Sequence, residues 1–168
     1  MNKNIKIVIG VSLLLLGFVM LPRKVWAAPA AANPYLADIA AAEHLNDLPP
    51  SLLARLLYQE SRYRPDIING ETKSSAGALG IAQIVPRWHP NVNPLKPTDS
   101  IFYAANYLRR LFDKFGTWAK ALGAYNWGQG NVGKAIDAHG ENWLSYAPTE
   151  TKNYVTQILR DVDEGANV

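Results

Sequence analysis

A carboxylic acid at the end of an apolar stripe is the residue in this sequence best placed to move a proton. Leu53, Leu56, Leu57 and Glu60 are spaced i, i+3, i+4 and i+7, so on a helix they share one face. That face is apolar until Glu60, which turns the carboxyl inward, where burial disfavours the charged form. Pro65 biases the residue before it away from helical backbone, so the helix should stop short of it and leave Glu60 in the last turn. There the negative end of the helix dipole also disfavours a carboxylate. A carboxyl that keeps its proton near neutral pH is what a general acid needs. The same spacing also fits a partly exposed Glu at a helix end, because a perturbed carboxyl marks function only as a tendency.

Other chemistries find less support. The 168 residues contain no cysteine, which removes disulfides and thiolate catalysis. His44, His89 and His139 lack partners at i+4, so neither a metal site nor a cofactor is expected. The net charge of +3 points to nucleic acid only superficially. Four of the 17 basic residues (Lys3, Lys6, Arg23 and Lys24) lie in the first 27 positions, and the remainder fall one short of the 14 acidic residues. The basicity belongs to the N-terminal segment, and no nucleic-acid partner is expected.

That segment, residues 1–27, reads as a signal peptide or signal anchor. Lys3 and Lys6 precede an uncharged run from Ile7 to Leu21, about fifteen residues long and within the usual range for an export signal. Val25-Trp26-Ala27 offers a cleavage site before Ala28. Either form would place the rest of the chain in the periplasm or cell envelope, with membrane contact only through the leader. Residues 28–33 read as an Ala/Pro linker, and a single catalytic domain is expected over 34–166.

The elements positioning Glu60 are all helical. Asn33-Pro34 reads as a cap and first residue of a helix reaching about His44. Pro49-Pro50 opens the Glu60 helix. Asp66 to Ser75 is polar loop, Gly80 to Val85 a short helix, and Arg87 to Pro97 a proline-rich loop. Thr98 or Asp99 caps a strong stripe from Ile101 to Phe115 that Gly116 ends. Trp118 to Asn126, one or two turns over Val132 to Ala138, and a helix from Thr149 complete the domain. No strand pattern and no repeat is present, so the expected class is all-α, about six short helices.

Four segments, in order, resemble the soluble lytic transglycosylases. Glu60-Ser61-Arg62-Tyr63-Arg64-Pro65 resembles their E-S-x-[FY]-x-P segment, and Ser74 to Gln83 resembles S-x-x-G-A-x-G-L-M-Q, with Ala82 in place of Met. Ala124-Tyr125-Asn126-Trp127-Gly128 resembles A-Y-N-x-G, and Pro148 to Val155 resembles P-x-E-T-x-x-Y-V. The loop between Glu60 and Ser74 is several residues longer than in the simplest members. The resemblance spans about residues 34 to 162. It implies a lysozyme-like fold of the goose-type/SLT kind, with peptidoglycan glycan strands as partner and a monomer as the working unit.

It also implies roles. Glu60 would protonate the glycosidic oxygen between N-acetylmuramic acid and N-acetylglucosamine. Ser74, Gln83, Tyr125, Asn126, Glu150 and Tyr154 fall on the substrate-binding positions. Local chemistry leaves several of them open. Gln83 suits an acetamido group or a helix end; Tyr125 has a hydroxyl for Glu60 or a sugar, or is a core aromatic. Asn126 is a substrate amide or a C-terminal helix residue, and Glu150 is stabilised by the dipole of its helix in any case. Gly77 and Gly80 admit a sugar ring or serve tight turns. Trp88, Trp118, Trp127 and Trp143 stack on sugars or fill the core.

A hydrolase of this type places a second carboxylate roughly 5–10 Å from the acid. Asp66 and Glu71, the nearest in sequence, sit in polar loop. Without a second carboxylate the sugar's own C6 hydroxyl would attack C1, giving 1,6-anhydromuramic ends. The alternatives are a hydrolytic goose-type lysozyme and a non-catalytic wall-binding protein, whose signature would be loss of the acid.

Overall fold

Seven α-helices carry the part of the chain that the structure, a computed structural model, describes, residues 26–162. They are α1 (Leu36–Leu45), α2 (Leu52–Ser61), α3 (Pro65–Ile68), α4 (Pro97–Phe115), α5 (Trp118–Trp127), α6 (Gln129–His139) and α7 (Thr149–Asp161). Two 3-10 stretches, Ala30–Tyr35 and Gly140–Tyr146, precede α1 and α7. Among the described residues the only β-pairing is an isolated antiparallel bridge between Leu79 and Ile84, so the class is all-α as expected. No described helix is long and apolar enough to cross a membrane. The export segment expected over residues 1–27 lies outside the described residues, except for Trp26 and Ala27.

The centre of the fold is α2. Leu52, Leu53, Leu56 and Leu57 are completely buried, each contributing about 1.5–3 kcal/mol of burial. Its neighbours Ala54 and Arg55 are buried too, so the helix is enclosed on more than one face. Against it runs α7, antiparallel and cross-linked at three levels. Arg55 Nε donates to Asp161 Oδ2 at 2.7 Å, Gln59 Nε2 donates to Gln157 Oε1 at 2.8 Å, and Tyr154 donates to Glu60. Helix α5 packs against α4, α6 and α7, and Gly123 on α5 makes room for Trp143, whose ring would lie 2.5 Å from a Cβ there.

Several boundaries differ from expectation. The expected cap at Asn33 lies inside the Ala30–Tyr35 stretch, which buries Ala32 in the core. Pro97, not Thr98 or Asp99, leads α4, because its ring pre-sets the helical φ of a first residue. The polar segment after Pro65 contains the four-residue α3. Helix α6 has 11 residues rather than one or two turns. The expected helix at Gly80–Val85 is instead a tight turn closed by the Leu79–Ile84 pairing, with Gly80 at φ 74° and Gln83 at φ 46°. Positive φ at both positions is incompatible with a right-handed helix.

Candidate active site

Glu60 is held in place from both ends of its helix. At the N-terminus Ser51 sits at φ 70° and makes no side-chain cap. The Glu43 carboxylate of α1 does that work instead, accepting from the backbone N–H groups of Ser51 (3.1 Å), Leu53 (2.8 Å) and Ala54 (3.3 Å). As acceptor, the carboxylate satisfies orphan amides of the first turn. Burial raises the Glu43 pKa, and the three donors act against that rise.

At the C-terminus the chain leaves the helix through two consecutive left-handed residues, Arg62 (φ 53°) and Tyr63 (φ 54°). Each costs about 1–2 kcal/mol for a non-glycine residue. Side chains of the same segment hold the turn. Ser61 Oγ donates to the Leu57 carbonyl at 3.1 Å and accepts from Tyr63 N–H at 3.2 Å. The Tyr63 ring is 1% exposed and its hydroxyl donates to the Ala54 carbonyl at 2.7 Å. Ser61 and Tyr63 thus serve the backbone that fixes Glu60, a task that residue types alone did not reveal.

Glu60 keeps partial contact with solvent, yet the surrounding protein desolvates it enough to push its carboxyl up to about 7. Burial is the main cause; the Tyr154 hydrogen bond opposes it and the charge of Glu150 adds to it. The Tyr154 hydroxyl donates to Glu60 Oε1 at 2.5 Å. Burial, followed by the Glu60 charge, holds the Tyr154 pKa well above its ordinary value, so it stays a donor. With Oε1 accepting from Tyr154, Oε2 is the oxygen left to carry a transferable proton.

The other expected residues divide. Tyr125 does not bond Glu60; its hydroxyl donates to the Ala82 carbonyl at 2.9 Å, fixing α5 to the Gly80 turn. The Glu60 charge nonetheless raises the Tyr125 pKa, second only to burial, so the two groups are neighbours. Asn126 Oδ1 accepts from the Thr151 hydroxyl at 2.8 Å, which leaves its amide nitrogen available. Gln83 Nε2 donates to the Gly80 carbonyl at 3.0 Å, leaving Oε1 available. Ser74 is exposed and serves its own loop, its Oγ accepting from Ala78 N–H at 2.8 Å. Gly80 meets chain rather than ligand: a Cβ there would lie 1.8 Å from the Pro94 carbonyl oxygen. Gly77, at φ 78°, faces open space.

Glu150 is exposed in the first turn of α7, and it is the carboxylate whose charge reaches Glu60. Asp66 is committed elsewhere, to Arg64 (2.7 Å) and Thr72 (2.8 Å). The carboxylate whose charge reaches Glu60 thus comes from 90 positions away along the chain, on the helix that also supplies Tyr154.

Beside the acid lies a pocket of about 670 Å³ between the Gln83–His89 segment, α4 and the end of α5. Glu60 is not among its lining residues; Tyr125, whose pKa the Glu60 charge raises, links the two. Tyr125, Tyr107 and Tyr103 follow one another along the wall with ring centroids 5.7 and 6.4 Å apart, and His89 Nδ1 lies 2.8 Å from the Tyr103 hydroxyl. Trp88, 68% exposed, and half-buried Trp127 also line it, whereas Trp118 and Trp143 belong to the core. Among the described residues no three His, Asp or Glu side chains come together in a way that could hold a metal ion.

The sequence model of the family described as "Transglycosylase SLT domain" matches residues 37–144. Membrane-bound lytic murein transglycosylase D of Escherichia coli (strain K12) is 34% identical over 145 residues, covering 76% of this chain and 30% of that protein. A protein called transglycosylase from Enterobacteria phage PRD1 is 28% identical over 128 residues, covering 74% of this chain and 42% of that one. The chain thus spans less than half the length of these relatives.

Proposed function

This chain belongs to the transglycosylase SLT domain family, and from that premise we propose that it is a peptidoglycan lytic transglycosylase with Glu60 as its single acid and base. The observation that carries the reading is the Glu60 carboxyl at about 7, bonded by Tyr154 and beside an aromatic pocket. A carboxyl with that pKa gives up a proton and takes it back near neutral pH with little penalty in either direction.

Glu60 Oε2 donates its proton to the glycosidic oxygen as the bond from C1 of N-acetylmuramic acid breaks. Tyr154 steadies the carboxylate that forms, through a charge-assisted hydrogen bond. The acetamido group of the muramic residue supports the positive charge at C1. Its C6 hydroxyl then attacks C1, and Glu60 takes the hydroxyl proton, returning to its starting state. No water is consumed, and the product ends in 1,6-anhydromuramic acid. The amide nitrogen of Asn126, the Oε1 of Gln83 and the faces of Trp88 and Trp127, all lining the pocket, would hold the acetamido groups and rings of the glycan strand.

The relative from strain K12 is named membrane-bound, and residues 1–27 carry an export pattern. Both support an enzyme of the cell envelope, and a monomer is taken as the unit that acts on the wall. One observation favours a second reading. The charge of Glu150 is felt at Glu60, which makes Glu150 the candidate base of a hydrolase that would activate water.

Replacing Glu60 with Gln tests the assignment. Gln keeps the shape and the Tyr154 hydrogen bond but has no proton to transfer. Glu60→Gln should abolish lysis of purified peptidoglycan with an unchanged circular dichroism spectrum. Lysis within tenfold of the parent would overturn the assignment.

A further inference from the structure

The pocket beside Glu60 has an electrostatic character that cleavage of a neutral glycan does not need. No carboxylate lines it, and its one charged lining residue is Arg110 on α4. The Arg110 guanidinium lies 5.6 Å from the Tyr107 ring centroid, and its charge adds to burial in lowering the pKa of His89. The carboxylate nearest along the helix, Asp113, is taken by Arg109 at 2.9 Å, and among the described residues no acid pairs with Arg110. Two further cations touch lining residues: Lys114 Nζ donates to Gln129 Oε1 at 2.7 Å, and Arg87 sits 4.7 Å from the Trp88 ring centroid. An arginine placed on an aromatic wall without an internal partner is suited to a planar anion.

The sugars of the glycan strand carry no charge. The anions come from the lactyl side of each muramic residue: a free lactyl carboxylate where the peptide is missing, or the carboxylates of the stem peptide where it is present. Resting on the glycan-cleft reading above, we propose that Arg110 makes this pocket a carboxylate-reading subsite, which selects strands by the anion on their muramic residues. Arg110 lines a pocket that Glu60 does not, so its contact with the strand falls away from the bond being broken. The device sets which strands bind and leaves the proton transfer alone.

Binding is measured by tryptophan fluorescence, since Trp88 and Trp127 line the pocket, in a Glu60→Gln parent that does not turn over. Three probes of matched length are used: strands with intact stem peptides, strands stripped by an amidase to the free lactyl carboxylate, and chito-oligosaccharide, which has no carboxylate. Adding Arg110→Gln should weaken at least one carboxylate-bearing probe about tenfold, the worth of one charge-assisted contact, and the chito-oligosaccharide less than about twofold. Added salt should weaken the same probe in the parent. Loss confined to intact strands identifies the stem peptide, and loss confined to stripped strands identifies the lactyl group. Equal loss for all three probes would mean that Arg110 merely packs on Tyr107, and no loss would mean that its charge is idle; either overturns the proposal. A parent that binds none of the three would overturn the glycan-cleft reading itself, before Arg110 is altered.

Discussion

The Tyr154 hydroxyl donates to Glu60 Oε1 at 2.5 Å across the α2–α7 interface, joining residues 94 positions apart in the chain. The bond determines which oxygen of the acid carries the proton and opposes the burial that raises its pKa. Structure and chemistry meet in that contact, and the expected effects of substitution follow from its sign.

Tyr154→Phe removes an influence that lowers the Glu60 pKa, so the acid should hold its proton to higher pH than about 7. The alkaline limb of the kcat/KM profile should move upward. The carboxylate formed after proton transfer also loses a hydrogen bond worth about 1.5–3 kcal/mol, so kcat should fall roughly ten- to a hundredfold. A pH–rate profile checks both. A limb that stays in place or moves down would mean that Tyr154 serves the interface alone.

The raised pKa also has a consequence for stability. Between about 4.5 and about 7 the folded chain holds a proton on Glu60 that the unfolded chain has released. Stability from this group is therefore present in full below about 4.5 and lost as pH rises through about 7, by up to ~3 kcal/mol in total. Glu43, also raised, contributes with the same sign in parent and variant alike. Glu60→Gln should thus be the more stable protein at pH 8 and equal to the parent at pH 4, as read from urea unfolding. Parallel pH dependences would show that Glu60 is not strained by its surroundings.

The two glycines of the Ser74–Gln83 segment should respond differently. Gly80→Ala drives a Cβ into the Pro94 backbone at 1.8 Å and should cost more than 3 kcal/mol or prevent folding. Gly77→Ala meets open space and bears only the cost of its φ of 78°, about 1–2 kcal/mol. Thermal melts of the pair separate the two. Equal losses would contradict the packing assigned to Gly80.

The helical stripe around Leu53, Leu56 and Leu57 and the inward place of Glu60 were legible because periodicity reports burial directly. The ends of that helix were not. Its N-terminal cap is Glu43 from another helix, and no local pattern announces a cap supplied across a gap in sequence. Ser61 and Tyr63 lay within a recognised segment, but their work is to hold two left-handed residues, and φ is invisible to residue type outside glycine. Gly80–Val85 looked helical because its apolar residues are closely spaced, while the positive φ of Gln83 decided otherwise. Glu150 shows the limit most clearly: whether a carboxylate lies near Glu60 depends on how α7 packs, which spacing along the chain does not contain.

That carboxylate makes the product the decisive question. Attack by the bound C6 hydroxyl is intramolecular, with an effective molarity that reaches ~10⁵ M or more, against water at about 55 M. Ring closure should therefore prevail by roughly three orders of magnitude unless Glu150 activates water. Mass spectrometry of a borohydride-reduced peptidoglycan digest reads the outcome from the muramic ends. The prediction is that nearly all end in 1,6-anhydromuramic acid, about 20 Da lighter than reduced hydrolysis products (one water and two hydrogens), and that Glu150→Gln leaves this unchanged. Predominantly reducing muramic ends, lost in Glu150→Gln, would contradict the single-acid account and establish a hydrolase with Glu150 as its base.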